Sequence, residues 1–283
     1  MIPRQPLIVP FTKMNGAGND FVVLDNRFLR FSTDELADMA RRVCPRRTGI
    51  GADGLLALEE DDGADFRMRY RNADGSLGTM CGNGARCLAR FAARAGLGRL
   101  EDEATLLHFE TDGGRYSARV DGPTVTLDVP PPRGFAASAA TSALGEVYAI
   151  WTGTEHAVVF VDNVDTAPVS AEGERLRHDA AFAPAGTNVD FVEVLGGRDG
   201  IGRVRARTFE KGVEAETLAC GTGAVASAIV ARLAGGLAED AIQVEMPGGT
   251  LGVVFSLREG EVHNLQLSGP AETVYEGTLE WCG

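Results

Sequence analysis

Two cysteines stand at matching places in the chain, each immediately before a glycine-punctuated, alanine-rich stretch. The segment Cys81-Gly-Asn-Gly-Ala85 recurs as Cys220-Gly-Thr-Gly-Ala224, 139 residues later. Of the sixteen residues that begin at each cysteine, eight are identical without a gap. The stretch after each cysteine has the composition and spacing of a helix, so the sequence predicts a thiol at each of two helix N-termini.

A helix N-terminus presents unpaired backbone N–H groups and a partial positive charge, which favour a thiolate and can also bind a carboxylate. The pKa of a thiol in such a place can fall to roughly 3.5 to 7.5. Two such thiols on opposite sides of one ligand would form a two-base racemase, in which one removes an α-proton and the other supplies a proton to the opposite face. The N–H groups around Gly82-Asn83 and Gly221-Thr222 are predicted to hold the carboxylate oxygens as charge develops on them.

Further matches at nearly the same spacing indicate that the whole chain is a duplication. They pair residues 21–26 with 158–163, Gly49 and Asp53 with Gly186 and Asp190, and residues 110–114 with 245–249. The chain therefore reads as two homologous halves of about 135 residues. In this alignment Asn19 falls opposite His156, and Asn72 falls close to Glu210.

Each half has the same predicted order of elements, with strands first, then the cysteine cassette and its helix, then more strands. The strand predictions cover residues 20–24, 54–58, 66–71 and 106–129 in the first half, and 158–161, 189–194, 202–209 and 242–267 in the second. The second helix, residues 224–233, is apolar on nearly every face, which indicates burial on all sides. We therefore expect an α/β protein in which a barrel of strands surrounds each helix. A second, amphipathic helix is expected from Ser32 or Thr33 to just before Pro45, and a linker over residues 130–143.

Composition narrows the functional classes. A length of 283 residues suits two domains, and a net charge of −13 argues against nucleic-acid binding. The three early prolines and the lack of eighteen consecutive apolar residues argue against a signal peptide or a membrane span, so a cytoplasmic protein is expected.

Five cysteines are an odd number for a disulfide framework. We expect no metal site, and we expect Cys44, Cys87 and Cys282 to be inert. With only Lys13 and Lys211 available, a pyridoxal phosphate enzyme is disfavoured.

Five segments together resemble the diaminopimelate epimerases, cofactor-independent isomerases of bacterial lysine and cell-wall precursor synthesis. They are KMNGAGNDFVVLDN, GIGADG, RNADGSLGTMCGNGARC, ETLACGTGA and MPGG. The resemblance spans essentially the whole chain. It implies two pseudo-symmetric α/β domains, each a mixed β-barrel around a central helix, with the active site in the cleft between them. The implied domains are residues 1–133 with 271–283, and residues 134–270; a homodimer without a cofactor is also implied.

The resemblance also assigns roles to residues. It implies that Cys81 and Cys220 are the acid–base pair, with Cys81 as the base toward the LL isomer. The implied substrate contacts are Asn19, Asn72, Gly82, Asn83, Asn188, Glu210, Lys211, Gly221 and Thr222. His156 and Glu210 are implied to bias thiol against thiolate.

The chain departs from the family pattern at four places. Thr154 stands where the family usually has a substrate-contacting Asn, and Asn15 stands where it usually has His. Lys211 replaces the commoner Arg, which exchanges a planar fork for a point charge. Gly54 occupies a position where some members have a contacting Gln. These changes concern recognition of the distal end of the substrate.

Three other functions remain open from the residues. A proline or hydroxyproline racemase of the same fold would use the same cysteines, but its ligand needs no second carboxylate anchor. A dithiol redox protein would cycle the cysteines through a disulfide, which leaves the duplicated glycine motifs unexplained. An amino-acid binding protein without catalysis would need neither thiol.

Overall fold

The structure, a computed structural model, describes residues 6–282, which form nineteen strands, five helices and two short 3-10 turns. The strands are β1 (Leu7–Gly16), β2 (Asn19–Asp25), β3 (Gly54–Glu59), β4 (Phe66–Asn72), β5 (Leu77–Gly78), β6 (Arg99–Glu101), β7 (Ala104–Thr111), β8 (Gly114–Asp121), β9 (Thr124–Asp128), β10 (Arg133–Ala137), β11 (Val147–Trp151), β12 (Glu155–Phe160), β13 (Asn188–Arg198), β14 (Ile201–Glu210), β15 (Ala215–Thr217), β16 (Ala241–Met246), β17 (Gly249–Arg258), β18 (Glu261–Pro270) and β19 (Glu272–Trp281). The helices are α1 (Asn26–Leu29), α2 (Thr33–Val43), α3 (Gly82–Arg94), α4 (Val169–Arg177) and α5 (Gly221–Leu233), and the 3-10 turns are Val164–Thr166 and Ala180–Phe182. The predicted mixed α/β class is confirmed.

The chain divides into two compact units. One contains the residues up to Leu127 together with those from Pro270 onward, and the other is Asp128–Gly269. The assignment of epimerase domains to residues 1–133 with 271–283 and to 134–270 stays a prediction, and its ends at 1–5 and 283, with Pro3, lie outside the described residues. Within residues 6–282 no helix is long and apolar enough to cross a bilayer.

In the first unit, β1 pairs antiparallel with β2, β2 lies parallel to β3, and β3 is antiparallel to β4, which runs parallel to β7. The C-terminal strand β19 pairs antiparallel with β1. Helix α3 packs against β1, β2, β3, β4, β7 and β8. Ala85, Leu88, Ala89 and Ala92 of α3 are fully buried, whereas Ala95 caps the helix and is exposed. The buried apolar face of α3 therefore consists of these four residues.

The second unit repeats this order. Strand β11 is antiparallel to β12, β12 is parallel to β13, β13 is antiparallel to β14, and β14 is parallel to β16. Helix α5 packs against β11, β12, β13, β14, β16 and β17. Its residues from Gly223 to Ala231 are all buried, as the all-round apolar sequence predicts.

Helix α2 begins at the predicted residues. The Ser32 side chain accepts from the Glu35 N–H while the Glu35 carboxylate accepts from the Ser32 N–H, which forms a capping box. Its repeat counterpart α4 has no such signal, because its N-cap residue is Pro168 and Gly173 lies in its interior. Gly173 is required there, since a Cβ would lie 2.5 Å from Cβ of Phe209. Helix α4 is accordingly absent from the elements that the sequence predicts.

The predicted linker over residues 130–143 is partly wrong. Residues Arg133–Ala137 form β10, which pairs antiparallel with β11. All five β10 residues are exposed, so the strand is held by backbone pairing and has no apolar alternation that a sequence would reveal.

A charged cluster lies beneath the β1–β2 hairpin of the first unit. The buried Lys13 ammonium lies 2.7 Å from Asp20, and Arg46 donates to both carboxylate oxygens of Asp20, at 2.8 and 3.0 Å. Burial by itself would raise the pKa of Asp20, but the bonds from Arg46 and Lys13 outweigh it and lower the pKa from 3.8 to about 2. Ionised Asp20 therefore stabilises the folded chain.

We expect Asp20→Asn to lower the free energy of unfolding by about 2 to 3 kcal/mol at pH 7, because it removes the favourable ionisation and leaves the Lys13 charge poorly paired. The carboxylate contributes fully above its ordinary pKa of 3.8, and the contribution is lost as the pH falls towards 2. The gap between the urea unfolding midpoints of the two proteins should therefore stay constant from pH 7 to about pH 5 and narrow as the pH falls from about 4 towards 2. Asp38→Asn, which changes a carboxylate that is 67% exposed, is the control and should leave the midpoint unchanged. A gap between wild type and Asp20→Asn that does not narrow in acid would contradict this account.

The first turns of α3 and α5 differ in the space around their second glycine. A Cβ at Gly223 would lie 2.5 Å from Asp190 Oδ1 and 3.0 Å from Thr208 Oγ1, both fully buried, whereas a Cβ at Gly84 would lie 3.2 Å from Leu56 Cδ2. We expect Gly223→Ala to destabilise the protein by about 1 to 3 kcal/mol and Gly84→Ala by clearly less, because a leucine methyl can shift and an anchored carboxylate cannot. Thermal unfolding of the two variants compares them. Equal losses would show that the Asp190 side chain can move aside.

Candidate active site

Each cassette cysteine is the N-cap residue of its helix. Cys81 precedes α3 with φ −140° and ψ 118°, and Cys220 precedes α5 with φ −116° and ψ 113°. These extended dihedrals are the usual N-cap conformation. The predicted placement of both thiols at helix N-termini is thus found in the structure.

Around Cys81 the structure brings together two of the predicted amides. The Cys81 sulfur lies 3.5 Å from Asn19 Oδ1, and the Asn83 amide donates to that same oxygen at 3.3 Å. The Asn19 amide nitrogen donates in turn to Asp53 Oδ2 at 2.5 Å. Asp53 thereby fixes which end of the Asn19 amide faces the sulfur.

The hairpin that presents Asn19 is a two-residue turn. Ala17 and Gly18 both have positive φ, 60° and 86°, as a type I′ turn requires. Asn15, which replaces the usual His of the family, accepts from the Gly18 N–H at 2.8 Å and supports this turn. The Asn15 side chain thus has a local structural partner.

Helix α3 carries a buried cation next to this cluster. Arg86 has no exposed surface, and its Nη2 donates to Asn83 Oδ1 at 2.9 Å. Burial lowers the pKa of Arg86 from its ordinary value. Its counterpart in α5 is Val225, so this charge belongs to the first half alone.

Asn72 is the last residue of β4, and the turn that follows it begins there. Its amide donates to Ser76 Oγ at 2.9 Å, and its backbone pairs with Ser76 and Gly75. Gly54, the departure noted above, is paired with Asn72 in the sheet register. A side chain at Gly54 would collide with the Arg71 carbonyl and the Tyr70 ring at 2.6 Å, so Gln cannot be accommodated without a shift.

Around Cys220 the polar groups form a longer chain. The sulfur lies 3.3 Å from Thr222 Oγ1, and Thr222 Oγ1 lies 2.9 Å from His156 Nε2. His156 Nδ1 lies 2.7 Å from Asp190 Oδ2, and both of these side chains are fully buried. The predicted residues Thr222 and His156 therefore do stand beside the second thiol.

The electrostatic environment of Cys220 differs from the expectation. Burial raises the pKa of Cys220 well above 9.0, and the charges of Glu210 and Asp190 act in the same direction, against the N–H of Gly223 that points at the sulfur from 3.4 Å. The general expectation of a lowered pKa is therefore wrong for this thiol. The helix N-terminus lowers the pKa of the thiol, but burial and the two nearby carboxylates raise it by more, because both disfavour the charged thiolate.

Asn188 and Lys211 also join this cluster. The Asn188 side chain accepts from the Lys211 N–H at 2.7 Å, and its Nδ2 lies 3.2 Å from His156 Nε2. The Lys211 ammonium lies 2.6 Å from Glu155, which also accepts from Thr154 at 3.2 Å. Lys211 thus already has an anionic partner in Glu155.

The other cysteines have no such surroundings. Burial raises the pKa of Cys44 and of Cys87 to about 12, so both are protonated at neutral pH. Cys282 is exposed, and all five cysteines are free thiols. Within residues 6–282, no group of three or more His, Cys, Asp or Glu side chains is placed to hold a metal ion.

Two functional candidates were overlooked in the sequence. Asp53 and Asp190 orient Asn19 and His156, the residues nearest the sulfur or its threonine partner. The repeat carries a signal for them, because Asp53 and Asp190 are separated by 137 residues, as are Asn19 and His156. An aspartate that follows a glycine turn has no chemical signature of its own, so the repeat alone does not assign it a role.

Comparison with known proteins identifies the family. The family model described as diaminopimelate epimerase matches residues 11–131 and 148–273. The diaminopimelate epimerase of Chlorobaculum tepidum is 42% identical over 94% of this chain and 99% of its own length, and that of Desulforudis audaxviator is 43% identical over 94% and 98%.

Solved structures share the fold at low identity. A phenazine biosynthesis protein of the PhzF family from Bacillus anthracis has a TM-score of 0.72 at 16% identity, covering 96% of this chain and 99% of that one. A hydroxyproline epimerase from Agrobacterium vitis has a TM-score of 0.68 at 17% identity, covering 98% and 92%. With the sequence relatives matched over nearly their whole length, the chain belongs to the diaminopimelate epimerase family and is an isomerase, an epimerase that acts on amino acids.

Proposed function

We propose that this protein interconverts LL- and meso-diaminopimelate with Cys81 and Cys220 as the two acid–base groups. The observation that carries the proposal is the N-cap position of both thiols on equivalent helices in a chain of this family. The mechanism requires the two sulfurs to reach one α-carbon from opposite faces. Cys81 removes the proton from the LL isomer and Cys220 delivers a proton to the other face, so the configuration inverts and each thiol exchanges protonation state.

Acid–base help alone is not enough for this reaction. It contributes roughly 10²- to 10⁴-fold, or about 3 to 5 kcal/mol. The remaining stabilisation is assigned to backbone N–H groups at the two helix starts, Gly82-Asn83 and Gly221-Thr222, which would hold the carboxylate oxygens as they gain charge. Support comes from the geometry of each first turn, since the N1 and N2 amides of a helix have no intrahelical acceptor.

The remaining contacts are proposed for the polar ends of the substrate. Side chains of Asn19, Asn72, Asn83, Asn188, Glu210 and Lys211 would bind its two ammonium and two carboxylate groups. His156 and Glu210 would set the protonation of the thiols. The surroundings of Cys220 support this role for Glu210, because burial and then the charges of Glu210 and Asp190 raise the pKa of that thiol.

We also propose a cytoplasmic homodimer whose domains are residues 1–133 with 271–283 and residues 134–270. Light scattering after size-exclusion chromatography measures the oligomeric state, and a monomer that is fully active would reject the dimer.

The decisive experiment is incubation with LL-diaminopimelate in D₂O under reducing conditions, without pyridoxal phosphate. We expect the meso isomer to form with deuterium at the inverted α-carbon. L-proline and hydroxyproline, tested in parallel, should not racemise. A reduced protein that forms no meso isomer would be incompatible with the proposal.

Cys81→Ala and Cys220→Ala should each lower the rate of epimerisation by at least about 10²-fold, since each removes one face of the proton transfer. Cys282→Ala, which changes an exposed thiol, is the matched control and should retain the wild-type rate. The rates are followed by the isomer ratio over time. Substantial turnover by either of the first two variants would refute the two-base mechanism.

Lys211→Met should raise KM for LL-diaminopimelate by about 10- to 100-fold with little change in kcat, because a charge-assisted bond to a remote carboxylate is made equally in the ground state and the transition state. Glu155→Gln should act in the opposite direction and lower KM, since it releases Lys211 from its present partner. Steady-state kinetics of both variants test this. If KM is unchanged in Lys211→Met, Lys211 does not bind the substrate.

A further inference from the structure

The way in which His156 is held has a consequence for the protonation of Cys220. The ring lies in the core of the second unit, with Nδ1 2.7 Å from Asp190 Oδ2. The other carboxylate oxygen, Oδ1, accepts from Thr208 Oγ1 at 2.6 Å. Both oxygens of Asp190 are thus bonded, and the carboxylate is fixed in place facing Nδ1.

Asn188 determines which nitrogen of His156 carries the proton. The backbone N–H of Lys211 donates to Asn188 Oδ1 at 2.7 Å, so the Nδ2 end of the amide must face the histidine. Nδ2 lies 3.2 Å from His156 Nε2 and can only donate. Nε2 therefore offers a lone pair, and the single ring proton is on Nδ1, directed at Asp190.

This tautomer orients the Thr222 hydroxyl. Thr222 Oγ1 lies 2.9 Å from Nε2, and because Nε2 accepts, the hydroxyl proton points to the histidine. The Thr222 oxygen then turns its lone pairs toward the Cys220 sulfur, 3.3 Å away. A lone pair at that position accepts a bond from a thiol S–H and repels a thiolate.

We propose that Asp190 is a positioning residue that locks His156 in the Nδ1–H tautomer and thereby holds Cys220 as the protonated member of the cysteine pair. The inference rests on the proposed function for its catalytic meaning. The charged and titratable groups around the chain of contacts include Asp190, Glu210 and His156, with the Lys211–Glu155 ion pair beside Asn188. Burial and the charges of Glu210 and Asp190 favour the same protonated state, whereas the N–H of Gly223, and a Thr222 hydroxyl that donates to the sulfur, act against it. When Cys220 gives its proton to the substrate carbon, Thr222 must rotate to stabilise the new thiolate, and Nε2 keeps Asn188 as its donor.

The first half has an equivalent carboxylate, Asp53, but it has Asn19 in place of the histidine whose tautomer could be fixed. Asp53 orients Asn19 beside Cys81, but an amide has no second tautomer and cannot relay a change of protonation. The duplicated aspartates therefore provide a matched pair of variants, because Asp53→Asn removes the equivalent charge from the other half.

The tautomer itself is the first test, and it needs no variant of Asp190. A long-range ¹H–¹⁵N correlation spectrum of the ¹⁵N-labelled protein at pH 7.5 distinguishes Nδ1–H from Nε2–H, and the chain has only four histidines. His156→Gln assigns the signal. We expect Nδ1–H for His156; a proton on Nε2, alone or in an imidazolium, overturns the proposal.

The second test measures the ionisation of Cys220 by the pH dependence of its alkylation with iodoacetamide, followed by mass spectrometry of the peptide that contains it. Asp190→Asn should move the midpoint down by about one pH unit or more, since both the lock and a nearby charge are lost. Asp53→Asn should leave the Cys220 midpoint where it is in the wild type. If Asp190→Asn only speeds alkylation at every pH without moving the midpoint, Asp190 has a purely structural role and the proposal fails.

Neither measurement uses a substrate. A protein with the expected tautomer and alkylation profile but no epimerase activity would support the role of Asp190 and reject the proposed function. An active epimerase with the Nε2–H tautomer would support the proposed function and reject the role of Asp190. The two failures are therefore distinguishable.

Discussion

Each unit of this protein depends on one constraint, the burial of a helix that begins directly after a cysteine. The N-terminal amides of a buried helix need partners, and burial without them would be costly. In α5 the Cys220 sulfur accepts from Gly223, and the helix approaches Asp190 so closely that no side chain fits at Gly223. Gly223 is thus a packing requirement, whereas Gly84 at the start of α3 faces a leucine methyl group that can shift.

The two halves share this arrangement of helix and cysteine but differ in the charged groups that surround it. The first unit collects cations near its cassette, with Lys13 and Arg46 bound to Asp20 and a buried Arg86 bound to Asn83. The second has buried acidic and neutral groups, with Asp190, His156 and Thr222 in a continuous chain. The same helix start therefore presents its thiol to two different electrostatic environments. Such a difference would suit a reaction in which one sulfur begins as a base and the other as an acid.

Much of the fold was visible in the sequence because local signals agreed with the tertiary structure. The capping box of α2, the all-round apolar character of α5 and the glycine turns between strands each identified an element within a few residues. The elements that were missed had weak local signals. Helix α4 begins after a proline and contains Gly173, and β10 is wholly exposed. Helix α4 is stabilised by packing against β13 and β14, and β10 by pairing with the next strand, β11; a local pattern records neither contact.

For the candidate site, the sequence by itself determined the positions of the two cysteines, their glycines and the paired Asn19 and His156, because a duplicated chain places equivalent residues at a nearly constant spacing. Only the tertiary structure decided how these groups are ionised and oriented. Burial and the charges of Glu210 and Asp190 raise the pKa of Cys220, although a helix N-terminus alone would lower it. Likewise Glu155 binds Lys211, and Asp190 faces Nδ1 of His156. Electrostatic energies depend on distance and on exclusion of water, and both are set by residues that the fold brings together from separate strands.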